Sequence, residues 1–200
     1  VRTYTTDQTK SDLLDLADLG KGWTKNELRV SSFQDGDLRG CSLSDIRLPG
    51  SPEKTTRKYG APDYKLRGAN YAQFIAVYPT SDQAADAISK VQQEISKCPG
   101  KKKVPAERLP GNKLRYQHED TWKLTESEIE GWRHLRGFEK TVYPPSISNI
   151  NVYYTVIDYA QSGNAVFSSL YWQRVTPKDS GEPIAEKATE LLTEQLKRFG

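Results

Sequence analysis

Two histidines and 26 carboxylates are the groups from which this 200-residue chain could assemble acid–base or metal chemistry. In His118-Glu119-Asp120, strand alternation would put His118 and Asp120 on one face. Two ligands fall short of the three or four that zinc takes, so no metal is expected and a solvated strand end is the simpler reading. Glu126, Glu128 and Glu130 also alternate and would project three carboxylates to one side. Paired carboxylates hydrolyse glycosides when held at a fixed separation. Exposed strand charge is far commoner, and Arg133, Arg136 and Lys140 on the next strand offer partners. A hydrolase built on Asp120 and Glu126 would further need a perturbed carboxylate pair inside a pocket. Dinucleotide-binding, phosphate-loop and Gly-x-Ser-x-Gly patterns do not occur. A non-catalytic protein without a cofactor is the expectation.

Three other sets of residues remain. Cys41 and Cys98 are the only cysteines, and neither has a second Cys or His at metal-ligand spacing. A disulfide is the preferred reading, because such bonds persist in oxidising compartments. Two unrelated buried thiols in a cytosolic protein are the alternative. Lys101, Lys102 and Lys103, with Arg108, Lys113 and Arg115, form a basic segment that could touch anionic lipid headgroups or stand solvated. The third set lies on two long strands near the C-terminus. Tyr153, Thr155, Ile157 and Tyr159 share a face of one strand, and Phe167, Ser169, Tyr171 and Gln173 share a face of the next. Neither strand shows a purely polar side. Tyr mixed with Ser, Thr and Gln suits a small-molecule cleft, which takes apolar area plus a few hydrogen-bonding groups. The candidate ligand-binding residues are therefore Tyr153, Thr155, Tyr159, Ser169, Tyr171 and Gln173. Core packing with hydroxyls reaching the surface is the competing reading.

These residues need elements to hold them. Residues 1–10 are polar and Thr-rich, and they read as a flexible linker before a domain at 11–200. Ser11 to Leu19 has helical spacing, with Ser11 as cap and Gly20 as terminator. Leu28, Val30 and Phe33 alternate as a short strand would. Residues 34–68 are Gly/Pro-punctuated and read as mostly loop. Asn70 to Tyr78 is a buried strand. Thr80 and Gln83 have capping-box spacing, and Ala84, Ala87, Ile88, Val91, Ile95 and Cys98 make one apolar stripe. Lys101 to Arg115 reads as a basic connection. An antiparallel meander follows at 116–130, 132–143, 151–159 and 165–175, with a tight turn at Gln161-Ser162-Gly163-Asn164. A helix from about Pro183 to Phe199 closes the chain, with Ser180 or Asp179 as its cap. The fold class is α+β: a single domain, two-layered, with an antiparallel sheet and flanking amphipathic helices.

Composition bounds the rest. Charged residues are 28%, apolar 36% and aromatic 10%. That aromatic share supplies enough buriable area to set disorder aside. A net charge of +3 argues against a nucleic-acid partner. No apolar run approaches the ~20 residues that span a bilayer. A chain that begins at Val1 and holds no Met is expected to be a processed or trimmed product.

Several segments resemble the extracellular sensor domain of PknH-type actinobacterial receptor kinases and related secreted lipoproteins. They are Leu13-Leu14-Asp15-Leu16-Ala17-Asp18-Leu19-Gly20, Ala76-Val77-Tyr78-Pro79-Thr80-Ser81-Asp82-Gln83-Ala84, Ile95-Ser96-Lys97-Cys98-Pro99-Gly100, and the turn at Gly163-Asn164-Ala165-Val166. The resemblance implies a central antiparallel sheet with flanking helices, a cleft for a small molecule or lipid, and no catalysis. It also implies a place on the extracellular face of the cell envelope, anchored by a segment outside this chain. The kinase sensor domains carry more cysteines, so one bridge carries over, Cys41–Cys98. A structural or protein-interaction domain of an envelope lipoprotein is the alternative function.

Overall fold

The computed structural model describes residues 2–25, 33, 36–61 and 68–200. The strand expected over Leu28 and Val30 lies outside them. The centre is an antiparallel sheet of eight strands: β1 (Thr24–Lys25), β4 (Glu53–Ala61), β5 (Ala69–Val77), β6 (Lys101–Val104), β9 (His118–Ile129), β10 (Trp132–Val142), β11 (Val152–Ser162) and β12 (Ala165–Val175). Their spatial order is β1-β4-β5-β12-β11-β10-β9-β6. Two small ribbons lie outside it, β2 (Leu38–Arg39) with β3 (Asp45–Ile46), and β7 (Glu107–Leu109) with β8 (Lys113–Arg115). The α+β class and single domain stand.

The layering differs from expectation, because helices cover both faces. Helix α3 (Ser81–Ser96) starts where the Thr80 hydroxyl accepts from Gln83 N. Its stripe of Ala84, Ala87, Ile88, Val91 and Ile95 packs on Phe74, Leu135, Ile157, Tyr159 and Leu170. Helix α4 (Glu182–Arg198) lays Ile184, Ala188 and Leu191 on the other face, against Tyr154, Val156 and Tyr171. Leu192 and Leu196 meet Ile75, Trp132 and Phe167 there. Three layers result, which explains why neither β11 nor β12 showed a wet side. The α4 cap is Gly181, with no side-chain bond. Asp179, expected to cap, instead accepts from the Thr176 amide and hydroxyl.

Three segments read as irregular are ordered. Residues 2–10 are no linker: α1 spans Thr6–Asp12, and Tyr4 is buried against Trp132 and Phe199. Asn164 holds this segment by accepting from Tyr4 N and donating to the carbonyls of Tyr4 and Tyr78. The helix expected over 11–19 breaks at Leu13-Leu14 and restarts as α2 (Leu16–Leu19), capped by Asp15. Buried Gln195 accepts from Leu14 N and donates to Asp12 O, fixing that break. In the expected 34–68 loop, Glu-Lys-Thr-Thr-Arg-Lys-Tyr forms most of β4, whose polar residues hide the strand pattern. The lysine segment is strand β6, paired to β9 at the sheet edge. Lysines on an edge strand discourage further strand addition.

Candidate functional site

Cys41 and Cys98 are bonded, with Cα atoms 6.0 Å apart. The bridge ties the end of α3 to a turn at Cys41–Leu43, where Ser42 and Leu43 have φ of 51° and 54°. Left-handed backbone at two non-glycine residues is unfavourable, and such geometry persists only where the surroundings enforce it. Here the enforcement comes from the disulfide on one side and two carboxylates on the other. Ser42 N donates to Glu139 Oε2 at 2.6 Å, and its hydroxyl donates to Asp120 Oδ2 at 2.8 Å.

Register places those acids together. Asp120 is opposite Thr141 across β9–β10, while Glu139 is opposite Trp122 on β9 and Thr155 on β11. Direct partners in an antiparallel pair share a face, so all these side chains rise on the α3 side. Beyond the end of α3, Asp120, Glu139, Thr141 and Thr155 line a cavity of about 280 Å³ with Ser42, Tyr143, Tyr153, Trp172, His118 and Arg115. Thr141 Oγ1 donates to Asp120 Oδ1 at 2.7 Å, so both Asp120 oxygens are engaged. Four rings form a continuous wall, with centroids 4.9 Å apart for His118–Tyr143, 5.3 Å for Tyr143–Tyr153 and 5.2 Å for Tyr153–Trp172. His118 Nδ1 lies 2.8 Å from the Tyr116 carbonyl, an acceptor, so that nitrogen carries the proton.

Burial pushes the Glu139 carboxyl up to about 7, helped by the neighbouring Asp120 charge and opposed by the Ser42 N–H and Lys102. Burial likewise raises Tyr143, with Tyr153 and Asp120 adding to it. The site thus combines an acid poised near neutrality, a fully bonded carboxylate, hydroxyls and an aromatic wall. Among the described residues, no group of three His, Cys, Asp or Glu side chains is arranged to hold a metal ion.

The six candidate residues divide. Tyr153 and Thr155 line the cavity. Tyr159 shares their face but is fully buried under α3, and its hydroxyl donates to the Arg39 carbonyl. Ser169, Tyr171 and Gln173 lie on the α4 side, because Thr155 pairs with Trp172 and Val156 with Tyr171. One cleft containing all six is therefore not what the register builds. Trp172, Asp120, Glu139 and Ser42 are cavity residues absent from the set read from sequence.

The carboxylate readings change too. Asp120 is buried and His118 half-buried, so the pair is not a solvated strand end. Glu126 is exposed, bonded to Gln92, and about 20 Å along β9 from Asp120 at ~3.4 Å per residue. Arg136 pairs with Asp158 rather than with the glutamates. Ser127, His134 and Asp158 form a bonded chain, with Oγ to Nδ1 and Nε2 to Oδ1 both 2.8 Å. Arg136 also binds both Asp158 oxygens and donates to Thr189 on α4. His134 and Asp158 are buried and Ser127 is exposed, and through Arg136 and Thr189 this set of bonds ties the sheet to the helix.

A second cavity of about 690 Å³, lined by Val104, Pro105, Val142, Pro144 and Pro145, shares His118 and Tyr143 with the first. A third of about 460 Å³ lies at the opposite end of the sheet, where Glu53 is already bonded by Thr6.

No protein-family model matches the chain, and no curated protein does. Among solved structures, the extracellular domain of PknH from Mycobacterium tuberculosis superposes with a TM-score of 0.56 at 9% identity, covering 98% of each chain. The likeness is one of fold. An uncharacterized protein of Mycobacterium smegmatis, the Rv0999 ortholog, gives a TM-score of 0.40 at 10% identity over 96% of this chain and 93% of its own. Protein PA94 of Pseudomonas aeruginosa gives 0.37 at 14% identity over 84% and 94%.

Proposed function

We propose that this chain is an extracytoplasmic, sensor-like ligand-binding domain without catalytic activity, and that the cavity under the disulfide-anchored turn is its ligand site. One observation carries the reading: a cavity walled by Tyr153 and Trp172, floored by buried acids, and bounded on one side by a turn held in unfavourable backbone geometry. The Cys41–Cys98 bond and the likeness to an extracellular domain support a location outside the cytoplasm, on a membrane-anchored lipoprotein or receptor. The test is a thermal-shift screen of small metabolites and lipids against the wild type and Trp172→Ala. Compounds that stabilise the wild type should lose their effect in the variant. A screen whose hits stabilise both proteins equally would refute the assignment of the site.

A second reading, an envelope interaction domain, is favoured by the β7–β8 ribbon. Leu109, Leu114 and Tyr116 are exposed there, close in sequence to the exposed Lys101, Lys102, Lys103, Arg108 and Lys113. Apolar tips among cations suit an anionic membrane surface. Sedimentation with phosphatidylglycerol vesicles tests it: binding should fall at high salt and in Leu114→Asp. Equal recovery with neutral vesicles would discard it.

A further inference from the structure

We infer that the cavity takes a primary ammonium group, seated between Glu139 and the Tyr153–Trp172 wall; this rests on the cavity being the ligand site. Two buried carboxyls face the cavity among the hydroxyls of Thr141, Thr155, Tyr143 and Tyr153, and the Arg115 guanidinium is also on its lining. Glu139 is 4% exposed and Asp120 5%. Asp120 receives two hydroxyl bonds. Glu139 receives one amide on Oε2, which leaves Oε1 for the cavity that the side chain lines. A ligand N–H can donate to that oxygen, and a charge-assisted hydrogen bond is stronger than a neutral one. The Thr155 hydroxyl, opposite Glu139 in register, adds a second acceptor. The rings of Tyr143, Tyr153 and Trp172 offer the negative π-faces that attract cations.

The nearby cations pair with other carboxylates, while Arg115 also lines the cavity with its buried Nε unpartnered. Arg115 pairs with Glu107 at 2.5 Å and Lys101 with Glu119 at 3.1 Å, while Lys102 is exposed on the edge strand. His118 places Nε2 3.6 Å from Asp120. Among the described residues, no cation pairs with Glu139. An incoming ammonium would keep Glu139 ionised and release its proton to solvent, coupling occupancy to pH near neutrality.

Three four-carbon probes separate charge from shape: putrescine, butane-1,4-diol and succinate, titrated calorimetrically into the intact protein. Putrescine alone should bind. Its affinity should rise roughly tenfold from pH 6 to pH 8, as a group titrating near 7 loses its proton. Glu139→Gln should weaken binding by roughly tenfold or more and flatten this profile. His118 also faces the cavity, so a profile that persists in Glu139→Gln but vanishes in His118→Gln would overturn the role of Glu139. Diol or succinate binding as tightly as putrescine, with loss in Trp172→Ala, would discard the ammonium and keep the site. If none of the three binds, the ammonium falls, and the metabolite screen judges the site separately.

Discussion

Replacing Glu139 by Gln should make the protein more stable in mild alkali, although it removes a hydrogen-bonding acid from the interior. In the folded chain this carboxyl is pushed from 4.5 to about 7 because it is buried beside Asp120. It therefore binds its proton more tightly folded than unfolded. Below the unfolded value both states are protonated, and the group's contribution does not vary. As pH rises toward 7 the unfolded chain releases its proton first, so stability falls. Above 7 the loss is complete, at most about 3 kcal/mol, since a tenfold change in proton affinity is worth roughly 1.4 kcal/mol. Gln keeps the shape and can still accept from Ser42 N, but it cannot ionise. Wild type and variant should melt at similar temperatures near pH 4 and diverge above pH 7, with the variant higher by roughly 5–10 °C for a domain of this size. Circular-dichroism melts from pH 4 to pH 9 at constant salt measure this. Groups remote from Glu139 titrate alike in both proteins and cancel in the difference. Parallel pH profiles would refute the reasoning.

Reduction of Cys41–Cys98 frees a loop of 57 positions and should cost about 4 kcal/mol by chain entropy, read as a lower urea midpoint with reductant. An unchanged midpoint would show that the bond adds nothing to stability. In Gly137→Ala the new methyl would meet the Trp122 ring at 2.0 Å. The expected loss is about 1–3 kcal/mol by chemical denaturation, with altered tryptophan fluorescence; an unaltered spectrum would mean the ring does not lie there. Asn164→Ala removes the bonds that hold Tyr4, so hydrogen exchange at residues 4–12 should accelerate while β9–β10 stays protected. Uniform protection throughout would contradict the role of Asn164 as anchor.

Much of the fold follows from local rules, which act within a few residues. Thr80 caps α3, and apolar spacing aims its stripe and that of α4 at the sheet. The turn at Gly163-Asn164 joins β11 to β12 with Ser162 opposite Ala165. A two-residue loop pairs odd-numbered residues of one strand with even-numbered residues of the other. That rule already separates Thr155 from Tyr171 and joins it to Trp172, so the division of the candidate residues was legible in the turn. β4 was less legible, because an outer strand of Lys, Thr and Arg carries no apolar alternation. The N-terminal segment was not legible at all, since Tyr4 is ordered by Asn164, 160 positions away.

The amino-acid order by itself determined the element types, the α+β class and the cysteine pair available to bridge, because caps, periodicity and composition are short-range properties. The tertiary structure alone decided the site. Ser42 meets Asp120 across 78 positions and Glu139 across 97, and no spacing rule relates residues so far apart. Only when the disulfide pins the turn over the sheet are two ordinary carboxyls taken out of water. Desolvation then turns Glu139 into a group that titrates near neutrality, a property set by its surroundings rather than by its type.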